Sequence, residues 1–304
     1  MRIGGRVRDH LVRAGRAVAR DVVAPPYTAP GHFYNPATTP ADRERAIAGR
    51  SRPSRAVDLR EDDQCRLAGQ LDLSRPPSDR WIPDNSMYGA ADASVLRGML
   101  LHFRPRRIVE IGSGYSTALA LDVAERHLPD LRITCVEPYA DRLRSRLRPG
   151  DADRLTLHEE PVQDVGVGEL TEGMTAGDVL LIDSSHVVKA GSDVAWLLLR
   201  VLPELPDGVL VHVHDVHWPF EYPDQWLREG RDWNEAYFLE AFLAYNERFR
   251  VLLFVDWLAT EHPELVAPEN RSVRGGAIWL EKVAPRARGR AADPFLPTTD
   301  GARP

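Results

Sequence analysis

RIVEIGSGYST, residues 107–117, decides the fold of this chain. Its first five residues, Arg107–Ile111, form an apolar run that predicts a buried strand, and the pattern after Tyr115 predicts a helix over Ser116–His127. Between them, Gly112 and Gly114 let a ligand approach the backbone closely, and the helix N-terminus supplies unpaired N–H groups. We therefore expect a ligand site where this strand ends.

The same alternation of strand and helix continues on both sides of this stretch. Further strands are predicted at Ile133–Glu137, Leu155–His158, Asp178–Asp183, Val209–His214, Val251–Val255 and Ala277–Glu281. Helices are predicted at Ala90–Phe103, Asp141–Leu147, Gly191–Leu202 and Trp233–Asn246. Near-continuous apolar strands separated by helices indicate a doubly wound, mostly parallel sheet covered on both faces. Ligands of such sheets bind beyond the carboxyl ends of the strands.

Composition narrows the function classes. The 304 residues include 39 Lys+Arg and 45 Asp+Glu, and a net charge of −6 weighs against a nucleic-acid partner. Two cysteines, Cys65 and Cys135, exclude a disulfide scaffold and a Cys-rich zinc module. No apolar run approaches the roughly 20 residues of a membrane span, and the first residues lack the apolar stretch of a secretory signal. We expect a cytoplasmic protein.

The chain divides into three zones that differ in composition and in hydrophobic pattern. Residues 1–80 are rich in Arg and Pro and are interpreted as an N-terminal helical extension that supplies a substrate lid or oligomer contacts. Residues 81–283 carry the α/β pattern, and residues 284–304 are expected to be a disordered tail. Within the extension, apolar residues at helical spacing over residues 3–18 predict a basic amphipathic helix. We expect it to dock on its own domain or on a second subunit of a homo-oligomer, rather than on a membrane surface.

The glycine loop favours a nucleoside ligand. Thr117 stands where a dinucleotide fingerprint has its third glycine, and Glu110, two residues before Gly112, is ill placed beside a pyrophosphate but suits a cationic ligand. Glu137 ends the second strand, where an acidic residue accepts hydrogen bonds from ribose hydroxyls, and Asp164 follows the third strand where an adenine amino group is read. Taken singly, both could cap the helices that follow.

Four segments, EIGSGYST, VEPYADRL, PVQDV and LLIDSSH, resemble in their order the class I S-adenosylmethionine-dependent methyltransferases. The resemblance covers about residues 81–283. It implies a Rossmann-like seven-stranded sheet with an antiparallel last hairpin and S-adenosylmethionine as cofactor. In this interpretation Glu110, Gly112 and Gly114 surround the methionine part of the cofactor. The expected cofactor residues are Glu110, Gly112, Ser113, Gly114, Tyr115, Ser116, Thr117, Glu137, Pro138, Gln163, Asp164 and Asp183.

A narrower resemblance concerns the class of the acceptor. GHFYNPATTP, PDNSMYGAADASVL, IDSSHVVKAGSDV, HVHDVHWPFEYPDQW and RDWNEAYFLEAF resemble a bacterial subgroup of small-molecule methyltransferases. That subgroup is distantly similar to sugar O-methyltransferases of antibiotic pathways, some of which use a divalent cation. The resemblance implies a role in natural-product biosynthesis, and it implies that Asn85 or Tyr88 folds over the cofactor.

Titratable side chains gather after the fourth and fifth predicted strands. The candidates for catalysis are His186, His214, Asp215 and His217, and those for a metal site are Asp183, His214 and Asp215. One interpretation makes a neutral histidine the general base for a hydroxyl acceptor. The other gives Mg²⁺, Mn²⁺, Fe²⁺ or Zn²⁺ the task of lowering the pKa of the acceptor. His212, inside a strand, is expected to be a hydrogen-bonded core residue.

The stretch after Asp215 is rich in aromatic residues, among them Trp218, Phe220, Tyr222 and Trp226, and either forms a lid over a substrate or packs on the core. We predict methyl transfer from S-adenosylmethionine to a hydroxyl of a small molecule. The alternatives are N-methylation, a protein that binds S-adenosylmethionine without methylating, a nicotinamide-dependent oxidoreductase and, more distantly, a metal-dependent hydrolase.

Overall fold

A seven-stranded sheet is the centre of the structure. The computed structural model describes residues 27–29, 31–49, 56–271 and 274–285. The strands run in the spatial order β3-β2-β1-β4-β5-β7-β6. They are β1 (Arg107–Ile111), β2 (Arg132–Val136), β3 (Leu155–His158), β4 (Val179–Ile182), β5 (Leu210–His214), β6 (Phe249–Phe254) and β7 (Ala277–Lys282).

Strand direction confirms the predicted sheet. Neighbouring strands among β1 to β5 pair in parallel, whereas β7 lies antiparallel between β5 and β6. Ile111 of β1 is level with both Val136 of β2 and Ile182 of β4. The carboxyl ends of these strands therefore meet at one edge of the sheet, which is where ligands of such folds bind.

Helices lie between successive strands along the chain, as the alternating pattern predicts. They lie at Pro40–Gly49, Glu61–Ala68, Ala90–Phe103, Tyr115–His127, Asp141–Arg144, Val167–Thr171, Asp193–Trp196, Leu202–Glu204, Asp224–Glu229, Glu235–Ala244 and Val255–Glu261. Ala90–Phe103 agrees with the predicted bounds, whereas the helix predicted from Gly191 begins at Asp193. It begins there because the Ser192 side chain accepts a hydrogen bond from the backbone of Ala195 and caps it. A π-helical turn, Leu197–Val201, follows.

The contacts of the chain define two units. One contains the described residues up to Gly49 together with Asp224–Asp232, and the other contains the remaining described residues, including the whole sheet. The basic helix predicted at residues 3–18 and the tail from residue 286 onward lie outside the described residues. The division of the chain at residues 80 and 283 stays a prediction. Among the helices that the structure describes, none combines the length and apolarity needed to cross a membrane.

Candidate active site

A cleft opens at the carboxyl ends of β1, β2 and β4. It has a volume of about 350 Å³, within the range of small-molecule pockets. Its lining residues are Ile111, Gly112, Val136, Glu137, Pro138, Tyr139, Pro161, Val162, Gln163, Asp183, Ser184, Ser185 and Asp193. We call this the glycine-loop cleft. Five of the predicted cofactor residues line it, namely Gly112, Glu137, Pro138, Gln163 and Asp183.

Gly112 is required by the close approach of two strand ends. Its φ is +80°, and a Cβ atom placed there would lie 1.7 Å from the carbonyl oxygen of Asp183. The amide of Asp183 donates to the carbonyl of Ile111 at 2.9 Å, and the amide of Gly112 donates to the carbonyl of Val136 at 3.0 Å. The glycine thus lets the floor of the cleft form from backbone atoms of three strands.

Glu137 follows β2 and lies half-buried at the wall of the cleft. Its carboxylate accepts hydrogen bonds from the backbone amides of Ser113, at 3.1 Å, and Tyr139, at 2.7 Å. The next helix begins at Asp141 after Ala140, so Glu137 caps a turn rather than that helix. Each oxygen keeps a lone pair, which leaves the carboxylate able to accept further hydrogen bonds from a ligand.

Glu110 is buried under the glycine loop rather than in the lining of the cleft. Its carboxylate accepts hydrogen bonds from the hydroxyls of Ser116 and Thr117, which ties the end of β1 to the start of the following helix. Burial raises the pKa of Glu110 to about 7, although these two hydrogen bonds oppose the shift. Thr117 also accepts from the amide of Gly114 at 3.1 Å.

Further predicted cofactor residues belong to the glycine loop and to the turn after β3. Ser113, Gly114 and Tyr115 continue the loop, and the guanidinium of Arg146 lies over the Tyr115 ring at 5.0 Å. Gln163 donates to the carbonyl of Gly191 at 2.8 Å, which fixes its amide beside the cleft. Asp164 is exposed at the end of the 3-10 turn Val162–Asp164 and does not contribute to the lining.

Next to the cleft, three side chains converge after β4 and β5. One ligand atom from each of Asp183, His186 and Asp215 lies within 4.8 Å of the other two, and we call this set the acidic rim. The Nε2 atom of His186 is 3.5 Å from Asp183 Oδ1 and 3.6 Å from Asp215 Oδ2. Asp183 and Asp215 are partly exposed, whereas His186 is buried. The acidic rim is therefore open to a ligand on its carboxylate side.

Two residues of the acidic rim hold a left-handed backbone. The φ of His186 is 59° and that of Asp215 is 55°, a region that costs a non-glycine residue roughly 1–2 kcal/mol. Such a conformation persists where the surrounding structure fixes it, and it gathers at functional sites. Here the two residues with this conformation are the ones that each place a ligand atom within 4.8 Å of Asp183.

Glu235 holds His186 from the side opposite the aspartates. Its carboxylate is 2.9 Å from Nδ1 of His186, and the ring of Trp233 lies 4.4 Å from the imidazole. Burial by itself lowers the pKa of His186, but hydrogen bonds to Asp183 and Glu235 outweigh it and raise the pKa to about 10. Burial raises the pKa of Glu235, and the imidazolium limits that rise.

His214 lies behind the acidic rim and outside the group of three. Its Nε2 atom is 3.7 Å from Asp215, and its ring stacks on that of Tyr88 at 4.9 Å. Neither Nδ1 of His214 nor the Tyr88 hydroxyl finds a hydrogen-bond partner among the described residues. Burial opposes protonation of His214, yet Asp183 and other nearby carboxylates raise its pKa.

His217 does not belong to the acidic rim. Its Nδ1 atom is 3.7 Å from Asp256, and a Cβ on Gly276 would lie 2.7 Å from its ring, so the imidazole is packed against the loop before β7. His212 is a core residue, as predicted, and burial lowers its pKa. The expectation that it is hydrogen-bonded is wrong, because neither ring nitrogen has a partner in the part of the chain that the structure describes.

Sequence reasoning missed two carboxylates that face these histidines. Glu235 opens a helix far along the chain, in RDWNEAYF, and no local pattern connects it with His186. Asp92, in the helix Ala90–Phe103, is buried and accepts from the amide of Gly276 at 3.0 Å. Burial raises the pKa of Asp92 to about 6, while His214 opposes the shift. An acidic residue among apolar ones, in the stretch AADASVL, was the available signal for Asp92.

The aromatic stretch after Asp215 does not act as one unit. Phe220 and Tyr222 are buried; the Phe220 ring lies 5.1 Å from that of Phe254, and the Tyr222 hydroxyl accepts from the amide of Ala236. These two side chains pack on the core, as one of the two interpretations expected. Trp226 belongs to the smaller unit, where Arg231 lies over its ring at 4.2 Å.

Comparison with known proteins identifies the family. Residues 109–216 match the family model described as a methyltransferase domain, which spans β1 to the residue after the acidic rim. An uncharacterized protein of Archaeoglobus fulgidus is 30% identical over 181 residues, which cover 53% of this chain and 79% of that protein. The chain belongs to this methyltransferase family, and its sheet is the one expected for the class I S-adenosylmethionine-dependent methyltransferases.

Two solved structures of methyltransferases align with this chain at low identity and with TM-scores below 0.5. One is the O-methyltransferase TomG of Streptomyces achromogenes in complex with SAM, at 18% identity and a TM-score of 0.45, covering 79% of this chain and 96% of that one. Another is the SAH-bound methyltransferase PaMTH1 of Podospora anserina, at 17% identity and a TM-score of 0.44, covering 80% of this chain and 95% of that one.

Proposed function

We propose that this methyltransferase transfers the methyl group of S-adenosylmethionine to a hydroxyl of a small molecule, with a divalent cation bound at the acidic rim. The sequence resemblance suggests a sugar or another secondary metabolite as the acceptor. The observation that carries the proposal is the convergence of Asp183, His186 and Asp215 within 4.8 Å, directly beside the glycine-loop cleft. A hydroxyl acceptor must lose its proton to accept a methyl group. An amine acceptor depends far less on the removal of a proton.

The glycine-loop cleft fits the cofactor in its donor set. In the proposal, the Glu137 carboxylate accepts hydrogen bonds from the ribose hydroxyls, and Gln163 and Asp164 contact the adenine. The buried carboxylate of Glu110 lies beneath Gly112, where the methionine part carries its positive charge. Asp183 lines the cleft and also belongs to the acidic rim, so one side chain connects the two regions.

The acidic rim fits a divalent cation in its chemistry. Two carboxylates and one imidazole form a donor set suited to Mn²⁺, Fe²⁺ or Zn²⁺, and the carboxylates alone suit Mg²⁺. Together with Glu235, three carboxylates surround the single imidazole of His186, so the site carries an excess of negative charge. When bound, the cation supplies Lewis acidity that lowers the pKa of an acceptor hydroxyl. His186, rather than His214, is the third ligand in this proposal.

A histidine base without metal is the second candidate. His214 supports it, because its ring is oriented by Tyr88 and lies 3.7 Å from Asp215. A cation bound at the acidic rim would displace the proton from Nε2 of His186. Without a cation, the pKa of about 10 keeps that imidazole protonated at neutral pH, and a protonated imidazole accepts no proton, so His186 suits the role of a metal-free base less well.

Calorimetry of the chelator-treated protein tests the proposal. We expect micromolar binding of S-adenosylmethionine and S-adenosylhomocysteine, little binding of NAD⁺, and a large loss of affinity in Glu137→Ala. Glu172→Ala, which removes an exposed carboxylate outside the cleft, is the matched control. Added Mg²⁺, Mn²⁺, Fe²⁺ or Zn²⁺ should give a separate heat of binding. Preference for NAD⁺, or no nucleoside binding at all, would overturn the cofactor assignment, and turnover that survives the chelator would favour the histidine base.

A further inference from the structure

We propose that Glu235 is a positioning residue that keeps a proton on Nδ1 of His186, so that Nε2 is the nitrogen presented to Asp183 and Asp215. The inference deepens the proposed function, on which its significance for cation binding rests. The hydrogen bond itself is a property of this chain with or without a cation.

Side-chain geometry is the first support. The Glu235 carboxylate lies 2.9 Å from Nδ1, and both side chains are nine-tenths or more buried. A carboxylate can only accept a hydrogen bond, so Nδ1 must be the donor in this contact. The opposite nitrogen, Nε2, then faces the two aspartates at 3.5 and 3.6 Å.

The backbone fixes the same arrangement independently. The amides of Asn234 and Glu235 both donate to the carbonyl of His186, at 3.0 and 3.1 Å. The Asn234 side chain accepts from the amide of Val188 at 2.6 Å and donates to its carbonyl at 3.3 Å. The segment around His186 is thus joined to the start of the helix Glu235–Ala244 at both backbone and side chain, and the Trp233 ring restricts the imidazole plane.

This arrangement has a clear chemical consequence. A histidine that binds a metal through one nitrogen commonly donates the other N–H to a carboxylate, which fixes the tautomer and the ring orientation. Loss of such a partner typically lowers metal affinity by about 10- to 100-fold. Glu235 therefore determines which nitrogen of His186 can serve as a ligand, although Glu235 itself is not one.

Nuclear magnetic resonance of the chelator-treated protein with ¹⁵N-labelled histidine tests the proposal, with the His186 signals assigned from His186→Gln. We expect a strongly hydrogen-bonded proton on Nδ1 that persists when Zn²⁺ is added, while the Nε2 signal alone changes. In Glu235→Gln that proton signal should shift or disappear, and Zn²⁺ affinity should fall about 10- to 100-fold. Glu264→Gln, which alters the exposed His262–Glu264 pair at 3.3 Å, is the matched control and should leave the His186 signals unchanged.

The outcomes separate this inference from the proposed function. An unprotonated Nδ1 in the wild type, or a Glu235→Gln variant with an unchanged Nδ1 proton, would overturn the role of Glu235. Failure of Zn²⁺ to bind would overturn the cation proposal. The positioning role would still be tested, because the Nδ1 proton is observed in the metal-free protein. Should Glu235→Gln fail to fold, the wild-type Nδ1 signal and Glu235→Asp decide the question.

Discussion

The glycine-loop cleft and the acidic rim lie side by side at one edge of the sheet, yet they are built differently. In the cleft, backbone hydrogen bonds join the strand ends beside Gly112, and the acidic residue Glu137 accepts from neighbouring amides while staying half-exposed. At the acidic rim, left-handed backbone at His186 and Asp215 turns charged side chains toward one another. The comparison shows that backbone hydrogen bonds organise the first region, whereas contacts between charged side chains organise the second.

Because the two regions are built differently, a substitution in one should impair that region without impairing the other. Replacing Asp215 with Asn keeps the size of the side chain and a residue type that tolerates left-handed backbone, but removes the charge. We expect methyl transfer to fall roughly 1,000-fold, since several kcal/mol of cation assistance is lost. Affinity for S-adenosylmethionine, measured by calorimetry, should change less than about threefold, well under 1 kcal/mol.

The control for this variant is Asp130→Asn, an exposed aspartate in the turn before β2. Its turnover should equal that of the wild type. If Asp215→Asn weakened cofactor binding as strongly as it weakened turnover, the separation between cleft and acidic rim would be wrong.

Gly112 should be the residue whose replacement damages both regions together. A methyl side chain at this position would meet the Asp183 carbonyl, so Gly112→Ala must displace a backbone segment shared by the cleft and the acidic rim. We expect a loss of at least about 3 kcal/mol in the free energy of unfolding, measured with urea. Gly150→Ala has a comparable φ of +95° but meets no atom within 4 Å, and should cost only about 1 kcal/mol. Equal losses would show that the close approach does not matter.

Glu110, under the glycine loop, should make the free energy of unfolding depend on pH. Because its folded pKa, about 7, is raised above the ordinary value of 4.5, its contribution to stability is complete below pH 4.5 and is lost as the pH rises through 7. The unfolding free energy should therefore decline between pH 5 and pH 8 by up to about 3 kcal/mol from this group. Denaturation of Glu110→Gln across this range should show a smaller decline, and an identical decline would contradict the assignment.

Removal of the Tyr88 hydroxyl should have the smallest effect on stability, because this hydroxyl is buried without a partner among the described residues. Tyr88→Phe keeps the ring that stacks on His214 and removes only the oxygen. We expect the free energy of unfolding to rise by up to about 1 kcal/mol, measured with urea. A loss of stability would instead mean that the hydroxyl has a partner such as ordered water.

Most of the fold and the position of the cleft could be predicted from the sequence, because each depends on residues close together in consecutive strand–helix units. Gly112 and Glu137 follow adjacent strands, and parallel pairing alone brings them to the same edge. The cluster after β4 and β5 was predicted for the same reason, and the structure brings Asp183, His186 and Asp215 together.

The orientation of the histidines could not be predicted in this way. Asp215 has a left-handed backbone directly after β5, and the Nδ1 atom of His217, two residues later, lies 3.7 Å from Asp256 rather than in the acidic rim. Glu235 reaches His186 only through tertiary packing of a helix that begins about fifty residues later. Nothing in the local pattern around His186 specifies that contact, since it depends on how distant elements pack.

The most direct test of cation-assisted methyl transfer is a Mn²⁺-binding titration of the chelator-treated protein, followed by electron paramagnetic resonance. The proposed function predicts one bound ion per chain, with binding lost in Asp215→Asn and retained in Glu137→Ala. No bound Mn²⁺ in the wild type, or binding that Asp215→Asn leaves intact, would contradict the acidic rim as a cation site.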